Sequence, residues 1–308
     1  MVGWGECGPM PKLSIDDRPD FAEQVQPICT QINTGAGPEQ LDLSHLPSLA
    51  FGLETALCDL QMGGQQQLFN TNFSRGAAAL ATHGLIWMDT VDGILQQVAQ
   101  KITQGFQVIK LKVGALPFGE ECALLAAIRR QYPAEQITLR LDANGAFAPA
   151  DALEKLNQLA AFDIHFLEQP IRAGQWPQMA EICAQSPIPI ALDEELIGVH
   201  TAATRRALLE TIRPQHLIIK PLLLGGFAAS EQWIRLAEAA GGEWWINSLL
   251  ESNIGLNALC QWTSALDSTR VHGLGTGQLF TNNIPSPLQL AGSQLQLNPA
   301  DKWDFTCI

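Results

Sequence analysis

Basic residues are scarce in this sequence of 308 residues, which has 18 lysines and arginines against 31 aspartates and glutamates and a formal net charge of −13. A chain this acidic is a poor partner for the phosphates of nucleic acid or for an anionic membrane surface. We therefore expect neither nucleic acid nor membrane among its partners. Charged residues amount to only 16% and hydrophobic residues to 46%, which indicates a large folded core and excludes a disordered chain.

Patterns that would indicate an oxidising compartment or a membrane are missing too. The seven cysteines are odd in number, scattered and without a Cys-x-x-Cys pair, which fits reduced thiols better than a disulfide framework or a zinc site. No apolar run approaches the length of a membrane span, and the first residues lack the pattern of a signal peptide. We predict a soluble, cytoplasmic protein, and the composition leaves its oligomeric state open.

A regular β/α alternation begins near residue 80. Eight short apolar segments predict strands at 83–88, 107–113, 137–142, 164–168, 188–193, 216–220, 243–248 and 271–275, with helical patterns such as 120–130, 151–160, 176–184, 227–239 and 254–265 between them. The polar residues that end five successive strands recur every 25 to 30 residues, the length of one strand–helix unit. This α/β pattern predicts a closed TIM-like barrel. An open doubly wound sheet would need a Gly-x-Gly-x-x-Gly motif, which is absent.

Two lysines share one face of the second barrel strand. Side chains alternate in direction along a strand, so Ile109 and Leu111 point towards the outer helices, and Lys110 and Lys112 point into the barrel. A solvated strand face is the alternative interpretation of such a pair. We consider it the weaker one because parallel barrel strands are covered on both sides.

Three carboxylates are predicted to converge at the carboxyl ends of the next strands, where barrel active sites are built. The same alternation turns Arg140, Asp142, Glu168 and Asp193 inwards. Three carboxylates cannot all stay ionised in a poorly solvated site without a cation. Hard oxygen ligands favour Mg²⁺ over zinc, with Mn²⁺ as a substitute. Each carboxylate could instead cap a helix, but three in register favour the metal.

Lys112 and Lys220 would flank this metal from opposite sides. Burial, the neighbouring Lys110 and the charge of the metal are expected to favour their neutral form. A neutral lysine can accept the weakly acidic proton next to a carboxylate, while a bound metal stabilises the resulting enediolate. The expected substrate is therefore a small-molecule carboxylate.

These residues resemble those of the enolase superfamily, in which a lysine or histidine base works beside Mg²⁺. The motifs are Lys110-Leu111-Lys112, Leu141-Asp142-Ala143-Asn144-Gly145, Leu167-Glu168-Gln169-Pro170, Leu192-Asp193-Glu194-Glu195 and Ile219-Lys220-Pro221. Within the muconate-lactonizing-like subgroup the chain resembles the o-succinylbenzoate synthase family of menaquinone biosynthesis. The segments that carry this likeness are 83–88, 248–257 and 273–283.

The resemblance implies a role for each site residue. Asp142, Glu168 and Asp193 would bind Mg²⁺, Lys112 would act first as base and then as acid in a syn-dehydration, and Lys220 would stabilise the enediolate. Lys110 would tune Lys112 or contact the substrate carboxylate. Supporting roles near the substrate are weaker assignments, and they fall on Arg140, Asn144, Ser248 and Glu251. The activity implied is that of a carbon–oxygen lyase.

The resemblance also implies a (β/α)7β barrel at 79–280 and a smaller α+β capping domain. The cap would comprise residues 1–78, with helices at 20–32 and 46–61, and would be completed by 281–308. We expect it to be truncated at its N-terminus, because the opening Met1–Glu6 segment resembles the end of the family's cap strands. Two alternatives stay open: an N-acylamino acid racemase or dipeptide epimerase on the same scaffold, and a barrel whose catalysis is impaired by the incomplete cap.

Overall fold

The structure, a computed structural model, describes residues 1–266 and 269–306, without the side chain of Gln278. Cys307 and the last residue of the predicted cap segment 281–308 lie outside the described residues, as do Asp267 and Ser268 of the predicted barrel. In the described ranges, no helix is both long and apolar enough to cross a membrane.

Seven parallel strands form the barrel wall, and each pairs with the next along the chain. After β1 (Leu80–Ala81), which belongs to another sheet, they are β2 (Gly84–Ile86), β3 (Val108–Lys112), β4 (Thr138–Asp142), β5 (Ile164–Glu168), β6 (Ile190–Leu192), β7 (His216–Ile219) and β8 (Glu243–Ile246). The predicted strand at 271–275 is reduced to two isolated parallel bridges, Thr82 with His272 and Asn247 with Gly273. These bridges join both edges of the sheet, so the predicted TIM-like barrel is confirmed.

Gly273 explains why the backbone closes the barrel so tightly at this seam. A Cβ atom on Gly273 would lie 2.3 Å from the Asn247 side chain and 2.7 Å from that of His83. Its amide donates to the Ile246 carbonyl, and the Ser248 amide donates to the Gly273 carbonyl. Glycine is needed for this approach, although it weakens a regular strand, which accounts for the short pairing.

Helices cover the outside of the barrel and the preceding segment. They are α1 (Phe21–Asn33), α2 (Pro47–Gln61), α3 (Val91–Thr103), α4 (Phe118–Gln131), α5 (Pro149–Leu159), α6 (Trp176–Gln185), α7 (Ala202–Ile212), α8 (Pro221–Leu224), α9 (Phe227–Ala239) and α10 (Asn253–Ala265). All seven helical segments named from the sequence are present, with ends that differ by at most two residues. The additional helices α3, α7 and α8 complete the alternation.

Two apolar layers follow from the alternation along the strands. Ile109 and Leu111 belong to the large core between the strands and the outer helices, as predicted. A separate small core fills the barrel interior, and it consists of Phe166, Ala191, Ile218 and Trp245. Each of these residues lies two positions before a polar residue at the barrel mouth, so the interior core forms the floor beneath the site.

The remaining segments pack across the barrel rather than standing apart. The Glu6 carboxylate accepts hydrogen bonds from the amides of Ser252 (2.7 Å) and Gly255 (2.8 Å), which satisfies free N–H groups at the start of α10. Near the other end of the chain, β9 (Leu288–Ala291) and β10 (Gln294–Leu297) form a hairpin whose second strand pairs with β1. Both ends of the chain are thereby joined to the barrel.

Candidate active site

Five charged residues meet at the carboxyl end of the barrel strands. Lys112, Asp142 and Glu168 are the last residues of β3, β4 and β5, and Asp193 and Lys220 directly follow β6 and β7. Asp142 and Glu168 are fully buried and Asp193 nearly so. Parallel strands that all end at one rim bring these side chains together although 108 positions separate the first from the last.

Lysine ammonium groups pair with the carboxylates in one chain of four residues and one separate ion pair. Lys110 Nζ lies 2.9 Å from Asp142 Oδ2 and 2.6 Å from Glu168 Oε2. Lys112 Nζ lies 2.6 Å from the same Asp142 oxygen, and Lys220 forms a short ion pair with Asp193. Lys110 therefore bridges Asp142 and Glu168, and each of the three carboxylates has a cationic partner.

The donor set fits a divalent cation because one carboxylate is incompletely satisfied. Glu168 Oε1 is buried and has no hydrogen-bond partner. Burial and the neighbouring Asp142 raise the pKa of Glu168 well above its usual range. Burial alone would also raise the pKa of Asp142, but Lys110 and Lys112 hold it well below its usual range. A cation with oxygen preference would satisfy Glu168 Oε1 and keep both groups ionised.

Lys220 is an ion-pair partner of Asp193 in this arrangement, and the neutral form expected beside a bound metal stays a prediction. Burial lowers its pKa, but the surrounding carboxylates, first among them Asp193, outweigh burial and raise it above the usual value. The pKa of Lys110 is raised in the same way by Asp142 and Glu168 against the effect of burial. The physical reason is that these lysines are direct ion-pair partners of the carboxylates, which favours their protonated form.

Asn144 connects the lysine of β3 to a fourth carboxylate. Its side-chain oxygen accepts a hydrogen bond from Lys112 Nζ (2.7 Å), and its amide nitrogen donates to Glu194 Oε1 (2.8 Å). The backbone of Asn144 adopts a left-handed φ of 43°, and its N–H donates to Asp142 Oδ1 at 3.0 Å. The turn thus directs the Asn144 side chain towards both Lys112 and Glu194.

Glu194 is the functional candidate that sequence analysis missed. It lines the same cavity as both lysines, and its Oε2 atom is buried without a partner. Burial and the adjacent Asp193 raise its pKa. The only signal in the sequence was its position in the acidic segment Asp193-Glu194-Glu195. This segment follows β6, where side-chain alternation along a strand no longer predicts which residue reaches the site.

A cavity of about 470 Å³ opens above this network. Its polar floor includes Lys110, Lys112, Lys220, Asn144 and Glu194, and its walls combine apolar and polar side chains. The wall residues come from the N-terminal segment, from β2 with its following loop, from α3, and from the segments after β8. The apolar ones include Met10, Leu13, Leu85, Trp87, Leu249 and Leu279, and α3 contributes Gln97, Gln100 and Lys101. Such a cavity suits a small ligand with an anionic and an apolar part.

Comparison with known proteins decides the family. The family model described as enolase C-terminal domain-like matches residues 93–299. The chain is 51% identical to an o-succinylbenzoate synthase from Desulfotalea psychrophila over 82% of this chain and 68% of that one. The chain belongs to the o-succinylbenzoate synthase family of the enolase superfamily. The predicted family is thus confirmed, and with it the enzyme class, a carbon–oxygen lyase.

Solved structures of the superfamily agree in fold. The crystal structure of MenC from Desulfotalea psychrophila superimposes with a TM-score of 0.88 at 41% identity, covering 96% of this chain and 90% of that one. The L-Ala-D/L-Glu epimerase of Bacillus subtilis, in a substrate-liganded complex, has a TM-score of 0.79 at 22% identity, with 98% and 86% covered. The second likeness concerns the fold alone.

Two of the weaker candidates, Ser248 and Glu251, lie near the cavity of this enolase superfamily barrel. Ser248 lines the cavity and shares a short hydrogen bond with the Thr276 hydroxyl. Glu251 is buried behind it, accepts a hydrogen bond from the Leu249 amide (2.8 Å), and has a pKa that burial raises to about 7. Neither contacts the carboxylate–lysine network through any hydrogen bond that the described residues show.

Arg140 faces the barrel interior as predicted but lies away from the cavity. Its guanidinium donates to the Val271 carbonyl (2.8 Å) and to His165 Nδ1 (3.3 Å), and it lies over the Phe166 and Trp245 rings. Burial lowers its pKa to about 10. These contacts indicate a structural role in the floor of the site rather than contact with a ligand in the cavity.

Proposed function

We propose that this enzyme is an o-succinylbenzoate synthase that acts in the cytoplasm in menaquinone biosynthesis. It would convert 2-succinyl-6-hydroxy-2,4-cyclohexadiene-1-carboxylate to o-succinylbenzoate by a Mg²⁺-dependent syn-dehydration. The observation that carries the proposal is the placement of Lys112 and Lys220 on the floor of one cavity, beside carboxylates Asp142, Glu168 and Asp193. The 51% identity to a synthase of that name supports the choice of substrate.

The three carboxylates would hold Mg²⁺, the metal that enolase-superfamily sites use beside a lysine or histidine base. When bound, Mg²⁺ supplies Lewis-acid stabilisation of negative charge on the substrate carboxylate. Glu168 Oε1 supports this assignment because it is buried and has no partner in the protein. Lys110 would keep Asp142 and Glu168 at fixed positions through its two ion pairs.

Lys112 is proposed as the group that moves the proton. In its neutral form it accepts the proton from the carbon next to the substrate carboxylate. It then returns that proton to the departing hydroxyl on the same face, so water leaves and the electron pair of the broken C–H bond completes the aromatic ring. Its side chain is 19% exposed, against 5% for Lys110, which suits a group that must reach a ligand in the cavity.

Lys220 is proposed as a fixed positive charge. The carboxylates around it raise its pKa, so it keeps its proton and stabilises negative charge that develops on the substrate. Asn144 would hold Lys112 towards the cavity through the 2.7 Å hydrogen bond to its Nζ.

We further propose that residues 1–78, with 281–308, form the cap over the barrel at 79–280. The supporting observation is that Met10 and Leu13 line the cavity beside barrel residues. Their apolar side chains would cover the part of the substrate that faces away from the metal.

The direct test is an ultraviolet assay for aromatisation of the cyclohexadiene carboxylate, run with Mg²⁺, with Mn²⁺ and with chelator. We expect turnover with either metal, and its loss with chelator should be reversed by excess Mg²⁺. Absence of product from folded enzyme with Mg²⁺ would refute the proposed reaction.

A second candidate, N-acylamino acid racemase or dipeptide epimerase activity, is favoured by the presence of both lysines at one cavity. It requires Lys220 as well as Lys112 to act as a base, on opposite faces of one carbon. Incorporation of solvent deuterium into an N-acylamino acid or a dipeptide would reveal such activity.

A further inference from the structure

A second cluster of metal-ligating side chains lies at the opposite end of the barrel. It comprises His165 on β5 and the first residues of β7 and β8, His216 and Glu243. One ligand atom from each lies within 4.8 Å of the others, and His216 Nδ1 is 4.0 Å from Glu243 Oε2. The cluster is separate from Asp142, Glu168 and Asp193, which lie at the carboxyl ends of their strands.

One nitrogen of the cluster lacks a partner. His216 Nδ1 is buried without a hydrogen bond, and the His216 side chain is only 10% exposed. A buried polar atom without a partner costs stability, so this nitrogen would gain from a ligand. Burial lowers the pKa of both His165 and His216 to about 4, which leaves each ring neutral, with a lone pair, at neutral pH.

The cluster is also accessible from solvent. The Glu243 side chain is 53% exposed. Together with His216 it lines a surface cavity of about 480 Å³ between the ends of α7 and α9. An ion could therefore reach the cluster without passing the carboxylates at the other end.

Arg140 is the nearby group that a cation must accommodate. Its Nε donates to His165 Nδ1 at 3.3 Å, so His165 would either release this hydrogen bond or bind through its other nitrogen after a tautomer change. The guanidinium keeps its 2.8 Å hydrogen bond to the Val271 carbonyl in either case. Its contact with His165 is long and weak, and therefore easily replaced.

We propose that His165, His216 and Glu243 form a second metal site at the base of the barrel, which takes a transition-metal cation such as Zn²⁺. Two imidazoles and a carboxylate are the ligand types of three-residue zinc sites with an open fourth position, whereas Mg²⁺ prefers oxygen. Bound metal would link the first residues of three barrel strands, β5, β7 and β8. It would leave the reaction at the other end of the barrel unaffected.

The test is calorimetric titration of the full-length protein with Zn²⁺ in excess Mg²⁺, which keeps the carboxylate site occupied. We expect one zinc equivalent for the wild type. Glu243→Gln and His165→Gln should each weaken binding at least about tenfold, since even changes next to metal ligands cost about 10- to 100-fold in affinity. Co²⁺ used in place of Zn²⁺ should give a visible absorption band that both variants lose.

Glu210→Gln is the matched control. Glu210 is exposed, lines the same surface cavity and lies outside the cluster, so its substitution removes the same charge from the same face. It should bind zinc like the wild type. Wild-type zinc affinity in either Glu243→Gln or His165→Gln, or a zinc equivalent lost only in Asp193→Asn, would overturn the proposal.

Discussion

The two lysines at the cavity should respond differently to removal, in stability as well as in rate. Asp142 is paired with both Lys110 and Lys112, so Lys112→Ala leaves this buried carboxylate with a partner 2.9 Å away. Asp193 has Lys220 as its ion-pair partner, so Lys220→Ala leaves a buried carboxylate uncompensated. Breaking a buried pair in this way costs about 3–5 kcal/mol, whereas we expect the loss of one of two partners to cost about 1 kcal/mol.

The rates should fall for different reasons. Lys112→Ala removes the group proposed to move the proton, which is expected to lower kcat about 10²- to 10⁴-fold. Lys220→Ala removes a fixed charge, for which a loss of about 10²- to 10³-fold is typical. An external amine can accept a proton but cannot replace an oriented charge. Small primary amines should therefore restore activity to Lys112→Ala more than to Lys220→Ala.

Two measurements test these expectations. The rate of aromatisation is followed in the ultraviolet at increasing amine concentration, and the free energy of unfolding is measured by urea titration without metal. Lys302→Ala is the matched control, because Lys302 is exposed and lies away from the cavity. It should match the wild type in both measurements. Rescue of Lys220→Ala alone would show that the roles are reversed. Equal loss of stability in both lysine variants would refute the pairing argument.

Four further results are expected. Asp193→Asn should weaken Mg²⁺ binding in calorimetric titration, with activity falling in step; unchanged affinity would remove it from the metal site. Asn144→Ala should lower kcat about tenfold or more with little change in KM, because a hydrogen bond to a charged group contributes about 1.5–3 kcal/mol. Leu13→Ala should raise KM more than it lowers kcat in steady-state assays, since the Leu13 side chain would cover the substrate without contacting the reacting atoms. Burial raises the pKa of Glu251 to about 7 from 4.5, so the wild type should lose about 3 kcal/mol of stability relative to Glu251→Gln as the pH rises from 4.5 to above 7, and urea unfolding at pH 5 and pH 8 measures this.

Alternation along the strands predicted which side chains enter the barrel, because each strand is covered on both faces. Lys110, Lys112, Asp142 and Glu168 all point inwards as expected. Their roles as metal ligands and as proton carrier remain predictions, which the experiments above address. The regular spacing also predicted the barrel itself, since each strand–helix unit has nearly the same length.

Depth within the barrel could not be predicted from alternation. Arg140 pairs in register with Lys110, so both lie two residues, or about 7 Å, below the ends of their strands. Lys110 extends upwards to Asp142 and Glu168, while Arg140 turns down to the Val271 carbonyl and the aromatic rings. The direction of a long side chain depends on partners from distant strands, which a local pattern does not contain.

Loops were harder still to predict, because their side chains follow no periodicity. Asn144 reaches both Lys112 and Glu194 only because its backbone adopts a left-handed conformation. The Asp-Ala-Asn-Gly sequence indicates a turn, but the partners of that turn come from β3 and from the loop after β6. Glu194, whose Oε2 atom is buried, was overlooked for the same reason.

The interior core separates two kinds of polar chemistry in one barrel. Phe166 and Trp245 contact each other with ring centroids 5.0 Å apart, and the Arg140 guanidinium lies over both rings. Oxygen ligands and lysines lie above this layer, and His216 lies below it, packed against Trp245 at 4.9 Å. The carboxylates above and the imidazoles below therefore cannot share one ion. Each of the two proposed sites would select its cation by its own donor atoms, so zinc bound below should leave the Mg²⁺ affinity above unchanged.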